Sequence, residues 1–163
     1  MSRNPQRFVA PELIEQFIAA CRVAGHEVIV TSVDRSFEEQ QALYAQGREA
    51  LGLVNALRRL AGLSPLTDKE NKRRVTWTLN SRHFPDRRGR SHAFDFGIVR
   101  NGAYVGDVKA DLDGDTIPDY LECARIGEAL GLVSGRHFRN PDYPHLEMPQ
   151  QAKDGRDADH IAG

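Results

Sequence analysis

The stretch SRHFPDRRGRSHAFDFGIV, residues 81–99, joins two kinds of sequence. Its first part is polar and rich in arginine, whereas HAFDFGIV, residues 92–99, has the apolar and β-branched composition of a strand. His83, His92 and Asp95 lie close together along this stretch. The pattern predicts a polar loop that leads into a strand. The three side chains are either solvated loop residues or half of a metal site.

Helices and short strands are predicted on both sides of this segment, without regular alternation. Apolar residues at helical spacing predict helices at residues 11–24, 36–48, 49–63 and 120–132, with Ser36 as an N-cap. Strands are predicted at residues 28–30, 75–80 and 92–99, a loop at 64–74 and a turn at Asn101–Gly102. The sum is an α+β domain with a small, mostly antiparallel sheet flanked by helices.

Length and composition indicate a single packed domain over residues 1–163. Apolar residues make up 40% of the 163 and charged residues 28%. We expect a core over about residues 11–149 and a polar tail at 150–163. Cys21 and Cys123 lie in helix-like patterns and are expected to be buried free thiols.

Charge and hydropathy argue against several classes of partner. The net charge is −1, which gives no overall attraction to nucleic acid. The arginines within residues 82–90 lack the interleaved aromatic residues of a nucleic-acid-binding surface. No apolar run is long enough for membrane insertion, and the N-terminus has no secretory signal pattern. We therefore expect no nucleic-acid partner and no membrane insertion, and we predict a monomer.

Three separated residues have the chemistry of a catalytic zinc site. Such a site takes three protein ligands and keeps one position open for water. His83 and Asp95 supply two ligands from one loop and strand, and His145, in DYPHLE, supplies a third from a distant segment. Asp142 precedes His145 closely enough to act as a general base.

These motifs resemble the M15 group of zinc peptidases, which includes D-Ala-D-Ala carboxypeptidases and phage L-alanyl-D-glutamate endopeptidases. The resemblance rests on Ser81-Arg82-His83, on Ser91-His92-Ala93-Phe94-Asp95, on Asp142-Tyr143-Pro144-His145 and on TSVDRSFEEQQALYAQGR, residues 31–48. It runs from about residue 12 to 149. It implies a fold like that of Hedgehog and the D-Ala-D-Ala peptidases, and Zn²⁺ held by His83, Asp95 and His145.

The resemblance also implies roles for other residues. Asp142 matches the catalytic acid and base, and Arg35 matches an arginine near the substrate carbonyl, where it would stabilise the oxyanion. Ser81 and Gln41 are weaker candidates for substrate contacts, and Glu147 is a candidate to orient His145.

The spacing of the first two ligands departs from the family pattern. Residues 84–94 separate His83 from Asp95, a longer gap than usual, and Ser91 stands where the family has glycine. If PDRRGRS is not an insertion, His92 replaces His83 as the ligand. We favour His83, because it keeps the Ser-x-His form and follows a predicted strand.

A second metal is predicted from DLDGDTIPDYLE, residues 111–122. Its oxygen ligands fall at the positions of an EF-hand calcium loop: Asp111, Asp113, Asp115, the Ile117 carbonyl, Asp119 and Glu122. Thr116 replaces the usual glycine at position 6. The alternative to a Ca²⁺ site is a solvated acidic turn that begins a helix.

The resemblance implies a zinc peptidase that cuts the stem peptides of bacterial peptidoglycan, at the L-Ala–D-Glu bond, and a role as a phage endolysin. The enzyme would remain in the host cytoplasm and reach the cell wall at lysis, and no separate cell-wall-binding domain is expected. The alternatives are a D-Ala-D-Ala or L,D-carboxypeptidase of the same family and a non-enzymatic, calcium-stabilised wall-binding module.

Overall fold

A computed structural model describes residues 2–150 of the chain. Five α-helices occur in this part: α1 (Pro11–Val23), α2 (Phe37–Ala45), α3 (Leu51–Leu60), α4 (Asp68–Asn71) and α5 (Asp119–Ala129). The strands are β1 (Glu27–Ser32), β2 (Ala93–Arg100), β3 (Ala103–Val105), β4 (Val133–Ser134) and β5 (His145–Glu147). Short 3-10 helices cover Pro5–Arg7 and Gly135–His137. The predicted tail beyond residue 150 lies outside the described residues.

Strand β2 is the centre of the sheet. Its neighbours give the order β1-β2-β5-β4, and β3 pairs with the far end of β2. Each of these strand pairs is antiparallel. The predicted α+β class with a small antiparallel sheet and flanking helices is therefore confirmed. The pairing shifts between Val30 and Ser32, so that β1 bulges where it passes Asp95.

The core lies between one face of the sheet and helices α1 and α5. Phe17 of α1 makes edge contacts with Phe94 and Phe96 of β2, with ring centroids 5.8 and 5.0 Å apart. Tyr120 of α5 stacks on Phe96 at 5.6 Å. Aromatic pairs of this kind add to the free energy gained by burial of their area. The apolar residues of β2 thus fix the position of the strand that carries Asp95.

Helix α5 is also tied to the sheet by hydrogen bonds and by a close approach. The Tyr120 hydroxyl accepts a hydrogen bond from Ile98 N at 3.1 Å and donates one to Val105 O at 2.6 Å. Gly127 lies so close to Leu146 of β5 that an added Cβ would be 2.6 Å from a leucine methyl. Burial raises the pKa of Tyr120 to about 12, so the hydroxyl keeps its proton at neutral pH.

Several local predictions are confirmed. The Ser36 hydroxyl accepts from Glu39 N at the start of α2, and the predicted strands at 28–30 and 92–99 correspond to β1 and β2. Cys21 and Cys123 are free and buried.

Two local predictions are wrong. Residues 75–80 alternate like a strand but pair with no strand of the described chain. Side chains hold this segment instead, because Gln40 Nε2 donates to Thr78 O and Arg48 Nη2 donates to Thr76 O. The predicted loop at 64–74 contains α4, which begins with a capping box between Thr67 and Glu70.

Within residues 2–150, no helix combines the length and the apolar character that crossing a membrane requires.

Candidate metal centre and active-site cleft

Three side chains converge beside the bulge of β1. His83 lies in the loop before β2, Asp95 lies on β2, and His145 begins β5 directly across from Asp95. Asp95 Oδ1 is 3.2 Å from His83 Nε2 and 3.2 Å from His145 Nδ1. Antiparallel pairing therefore brings together two ligand candidates that are 50 residues apart in the chain.

The second nitrogen of each imidazole ring is held by an acceptor. His83 Nδ1 lies 2.7 Å from Val33 O, and since a carbonyl only accepts, this ring nitrogen donates. His145 Nε2 lies 3.0 Å from Glu147 Oε2 and donates to that carboxylate. These bonds orient each ring so that its other nitrogen faces Asp95, and with a metal ion bound that nitrogen would supply its lone pair to the ion. The predicted role of Glu147 in orienting His145 agrees with this contact.

The donor set fits zinc. Two imidazole nitrogens and one carboxylate oxygen form a common ligand set for a catalytic zinc. In a tetrahedral site with bonds of about 2.0–2.1 Å, two ligand atoms lie about 3.3 Å apart. The two distances of 3.2 Å from Asp95 Oδ1 to the imidazole nitrogens are close to this value. All three side chains are buried or half-buried, which limits competition from solvent.

The electrostatics of the group favour a bound cation. Burial alone would raise the pKa of Asp95, but the charge of His83 and hydrogen bonds from both imidazoles hold it well below its usual range. Burial would lower the pKa of His145, but hydrogen bonds to Asp95 and Glu147 raise it to about 10. The raised pKa of His145 reports the negative charge of the carboxylates around it, and the lowered pKa of Asp95 reports the positive and donating groups that face it. A divalent cation bound between these side chains would take the place of the imidazole protons.

Asp142 lines the cleft that contains this group. The cleft has a volume of about 670 Å³ and is also lined by His83, Asp95 and His145. Part of Asp142 is open to solvent, yet removal of its carboxyl from bulk water raises its pKa. The negative charge of Asp95 raises it further, against the opposing positive groups. A carboxyl with a raised pKa in a cleft is suited to accept a proton.

Gly135 permits the close packing of the segment that carries Asp142 and His145. Asp142 N donates to Gly135 O at 2.8 Å. A Cβ at position 135 would collide with Asp142 O and lie 2.9 Å from His145 Cβ. Sequence reasoning did not identify this glycine, because the contact joins segments that no local pattern connects.

Arg35 is fixed at the edge of the metal group. Its Nη1 donates to Gln40 Oε1 at 2.8 Å, and its Nη2 lies 3.4 Å from Asp95 Oδ2. Arg35 N also donates to His83 O at 3.0 Å. The guanidinium therefore lines the cleft next to one ligand, and the backbone N–H of Arg35 holds the loop that carries another.

The glutamine beside Arg35 is Gln40. Gln40 is fully buried and its amide nitrogen also reaches Thr76 Oγ1 at 3.0 Å. Gln41, the predicted substrate contact, is exposed on α2 and lines a separate groove between α2 and α3. The structure therefore does not place Gln41 in the cleft. Ser81 does line the cleft, and its hydroxyl accepts from His83 N at 3.1 Å.

His92 lies outside the metal group. Its Nε2 is 3.0 Å from Asp86 Oδ2, in the loop between the first two ligand candidates. Asp86 Oδ1 also accepts from Arg88 N and Arg90 N, and His92 N donates to Arg82 O. Hydrogen bonds among its own residues and between its two ends therefore hold the loop at residues 84–91 together. The structure brings His83, not His92, to Asp95 and His145.

The acidic loop before α5 forms two overlapping clusters. One contains Asp111, Asp113 and Asp115, and the other contains His26, Asp113, Asp119 and Glu122. Within each cluster the candidate ligand atoms lie within 4.8 Å of one another. The structure thus brings the predicted carboxylates to one region.

Comparison with known proteins finds a curated relative that covers most of this chain. No protein-family model matches the chain. The sequence is 29% identical over 132 residues to the peptidoglycan L-alanyl-D-glutamate endopeptidase CwlK of Bacillus subtilis. The match covers 80% of this chain and 65% of CwlK, so the chain spans slightly less than two thirds of the relative's length. The predicted resemblance to the peptidoglycan-cutting peptidases is confirmed by this relative.

A solved structure is also similar. The L-Ala D-Glu endopeptidase ChiX of Serratia marcescens matches with a TM-score of 0.49 and 18% identity. The match covers 95% of this chain and 86% of ChiX.

Proposed function

We propose that this chain is a zinc-dependent peptidase that hydrolyses the stem peptides of bacterial peptidoglycan, at the L-Ala–D-Glu bond. The convergence of His83 Nε2 and His145 Nδ1 on Asp95 Oδ1 carries the proposal. Its support from other proteins is the similarity to CwlK, a peptidoglycan L-alanyl-D-glutamate endopeptidase. The substrate and the bond that is cut are carried over from that relative as part of the proposal.

His83, Asp95 and His145 would hold the zinc ion. When bound, zinc polarises a carbonyl and lowers the pKa of water toward about 7. Asp142, on the wall of the same cleft, accepts the proton of the attacking water at its carboxylate. It then donates this proton to the amine that leaves the scissile bond. The raised pKa of Asp142 suits the first transfer, because the carboxylate binds the proton more readily than an ordinary aspartate does.

Arg35 supplies positive charge beside the reacting carbonyl. Its guanidinium is held by Gln40 and Asp95, so it is already oriented before substrate binds. A preoriented cation stabilises a developing oxyanion without the cost of reorganisation. Ser81 remains a candidate for a substrate contact, because it lines the cleft next to His83.

Metal content and hydrolysis, measured on the same samples, test the site. We expect one zinc ion per chain in the wild type, and loss of zinc and activity in His83→Ala and Asp95→Ala. His92→Ala is the matched control, since His92 pairs with Asp86 outside the group, and it should keep both. Wild-type protein that binds no zinc and shows no hydrolysis when zinc is added would exclude the peptidase.

Asp142→Asn separates catalysis from binding. We expect this variant to keep its zinc and to lose about 10²- to 10⁴-fold in rate, the usual contribution of a general acid and base. A non-enzymatic wall-binding module would bind peptidoglycan equally well with either residue and would release no peptide. Unchanged hydrolysis by Asp142→Asn would remove Asp142 from the mechanism.

The products distinguish the endopeptidase from a carboxypeptidase. On a muropeptide with a complete stem, mass spectrometry should find a released peptide that begins with D-Glu. Release of a terminal D-Ala instead would assign the chain to the D-Ala-D-Ala or L,D-carboxypeptidases.

We infer a role in host lysis from the resemblance to phage endopeptidases. In this role the enzyme remains in the host cytoplasm until a membrane lesion gives it access to the wall. Expression in bacteria should be harmless alone and should cause lysis when the inner membrane is permeabilised. Lysis without permeabilisation would contradict the inferred location. The monomeric state and the single-domain organisation remain predictions.

A further inference from the structure

We propose that the loop from Asp111 to Glu122, where α5 begins, binds one calcium ion. The proposal concerns a site separate from the zinc ligands and does not depend on the peptidase activity. Its ligands would be the carboxylates of the two overlapping clusters, which share Asp113. These residues occur in one continuous segment, as in loops that wrap around a single calcium ion.

A buried carboxylate oxygen without a hydrogen-bond partner points to the ion. Asp119 is fully buried, its Oδ1 accepts from Leu112 N at 3.2 Å, and its Oδ2 has no hydrogen-bond partner among residues 2–150. Arg100 forms only a long ion pair with this oxygen, because its Nη2 is 3.8 Å from Oδ2, beyond hydrogen-bonding distance. A buried charged oxygen is costly unless a cation or donor satisfies it. Asp119 lies in the same cluster as Asp113 and Glu122, so a cation between them would satisfy it.

The charge of the loop favours the same conclusion. Asp111, Asp113 and Asp115 are exposed and have candidate ligand atoms within 4.8 Å of one another. Like charges at such distances repel, and a divalent cation removes the repulsion. Calcium accepts six to eight oxygen ligands from aspartate, glutamate and backbone carbonyls. The Ile117 carbonyl, at the seventh position, is the backbone ligand that the sequence predicts.

The backbone has the turn that this kind of loop needs, despite the missing glycine. Thr116 has a φ of 78°, in the left-handed region, at the position where EF-hand loops have glycine. Asp111 accepts from Thr116 N at 2.9 Å and from Gly114 N at 2.8 Å, so the first acid organises the loop around itself. The threonine therefore does not prevent the loop from closing.

The residues favour calcium over a nitrogen-binding metal. His26 is in the second cluster, but its Nε2 contacts Glu122 Oε2 at 2.8 Å. Calcium takes oxygen ligands, whereas zinc would also take the imidazole. With calcium bound, His26 would hydrogen-bond to the Glu122 carboxylate and orient it, rather than bind the ion itself. Replacement of His26 by glutamine should then leave calcium binding in place.

An ion at this position would stabilise the attachment of α5 to the sheet. Tyr120 follows Asp119 directly, and its hydroxyl bonds to backbone atoms of β2 and β3. Ligands at both Asp119 and Glu122 would fix the first turn of α5 around this tyrosine. Calcium should therefore raise the unfolding temperature of the protein.

Calorimetric titration of the zinc-loaded full chain with calcium chloride tests the proposal. We expect one saturable site with a Kd below about 1 mM, the weak limit for calcium modules. Asp119→Asn and Glu122→Gln should each raise the Kd at least about tenfold and remove the thermal shift, because each takes away a charged ligand. Asp68→Asn, an exposed acid on α4, is the matched control and should bind as the wild type does.

The remaining variants keep the test decisive. If Asp119→Asn fails to fold, Glu122→Gln and the exposed Asp111→Asn decide the outcome in its place. No saturable calcium binding by the wild type, or wild-type affinity in these ligand variants, would overturn the proposal. Binding that His26→Gln abolishes, with zinc preferred to calcium, would show a different metal and would also overturn it. Calcium binding is read without substrate, so its failure and a failure of the peptidase proposal are separate results.

Discussion

Replacement of Gly135 by alanine tests whether the segment that carries Asp142 and His145 is held by close packing. The φ of Gly135 lies outside the left-handed region, so alanine can adopt its backbone conformation. The added methyl would nevertheless collide with Asp142 O and lie 2.9 Å from His145 Cβ. Asp142 O is a backbone atom and His145 Cβ is attached directly to the backbone, so neither can move away by rotation of a side chain. The segment itself must move.

The size of the effect follows from this displacement. Forcing an extra methyl into a packed site costs about 1–3 kcal/mol of folding stability. A shift of about 1 Å in a catalytic group costs about 100-fold in rate. His145 Nδ1 is also 3.2 Å from Asp95 Oδ1, close to the distance between two ligand atoms of one zinc ion. We therefore expect Gly135→Ala to lose more activity and zinc affinity than its loss of stability explains.

The assays are peptidoglycan hydrolysis, zinc affinity by competition with a chelator, and urea unfolding of the zinc-loaded protein. Gly52→Ala is the matched control, because Gly52 lies in α3 and an added Cβ there meets no atom within 4 Å. It should keep full activity and gain about 0.5–1 kcal/mol, since alanine favours a helix more than glycine does. If Gly135→Ala matches this control in all three assays, the packing argument is wrong.

Three further substitutions test other parts of the fold. Glu128→Gln should destabilise the protein by about 1–2 kcal/mol at neutral pH, because Glu128 accepts two hydrogen bonds from Arg136 at 2.7 and 2.9 Å; urea unfolding measures this. Tyr120→Phe should cost about 1–3 kcal/mol in the same assay, since it removes the hydroxyl that pairs with the buried Ile98 N and the half-buried Val105 O. Thr116→Gly should raise the unfolding free energy by about 1 kcal/mol, because glycine adopts a positive φ without strain.

The effect of Glu128 also has a definite pH dependence. Hydrogen bonds from Arg136 lower its pKa in the folded protein. Its contribution is therefore fully present above the ordinary pKa of a glutamate and is lost as the pH falls through the lower folded value. The wild type and Glu128→Gln should converge in stability in acid. A constant difference at every pH would contradict this assignment. Destabilisation by Thr116→Gly would contradict the argument from its positive φ, and unchanged stability in Tyr120→Phe would contradict the argument from its hydrogen bonds.

The parts of the fold that depend on local pattern could be predicted from the sequence. Helix α1 and strand β2 follow from the spacing of their apolar residues, and the cap at Ser36 follows from its side-chain chemistry. The capping box of α4 has a local signal as well, Thr67 followed by Glu70, although the nearby Pro65 and the polar composition are typical of a loop.

The parts that depend on tertiary pairing could not be predicted. Alternation in residues 75–80 is the pattern of a strand, but a strand needs a neighbour, and side chains of α2 and Arg48 hold this segment instead. The choice between Gln40 and Gln41 depends on the rotation of α2 against the cleft, and a helix whose apolar residues are not gathered on one face does not reveal it. The residues of the metal group lie in recognisable motifs, whereas their support by Val33 O and Gly135 has no local signal in the sequence.

The self-closed loop at residues 84–91 offers a place to attach new sequence. Its ends are joined by the bond from His92 N to Arg82 O, and Asp86 holds its interior together. Arg87 and Arg88 at its tip are exposed. Extra residues at an exposed tip with anchored ends add only a small loop-closure cost. A peptide tag or a small binding module grafted between Arg87 and Arg88 should therefore be carried at the rim of the protein while His83 and Asp95 keep their positions.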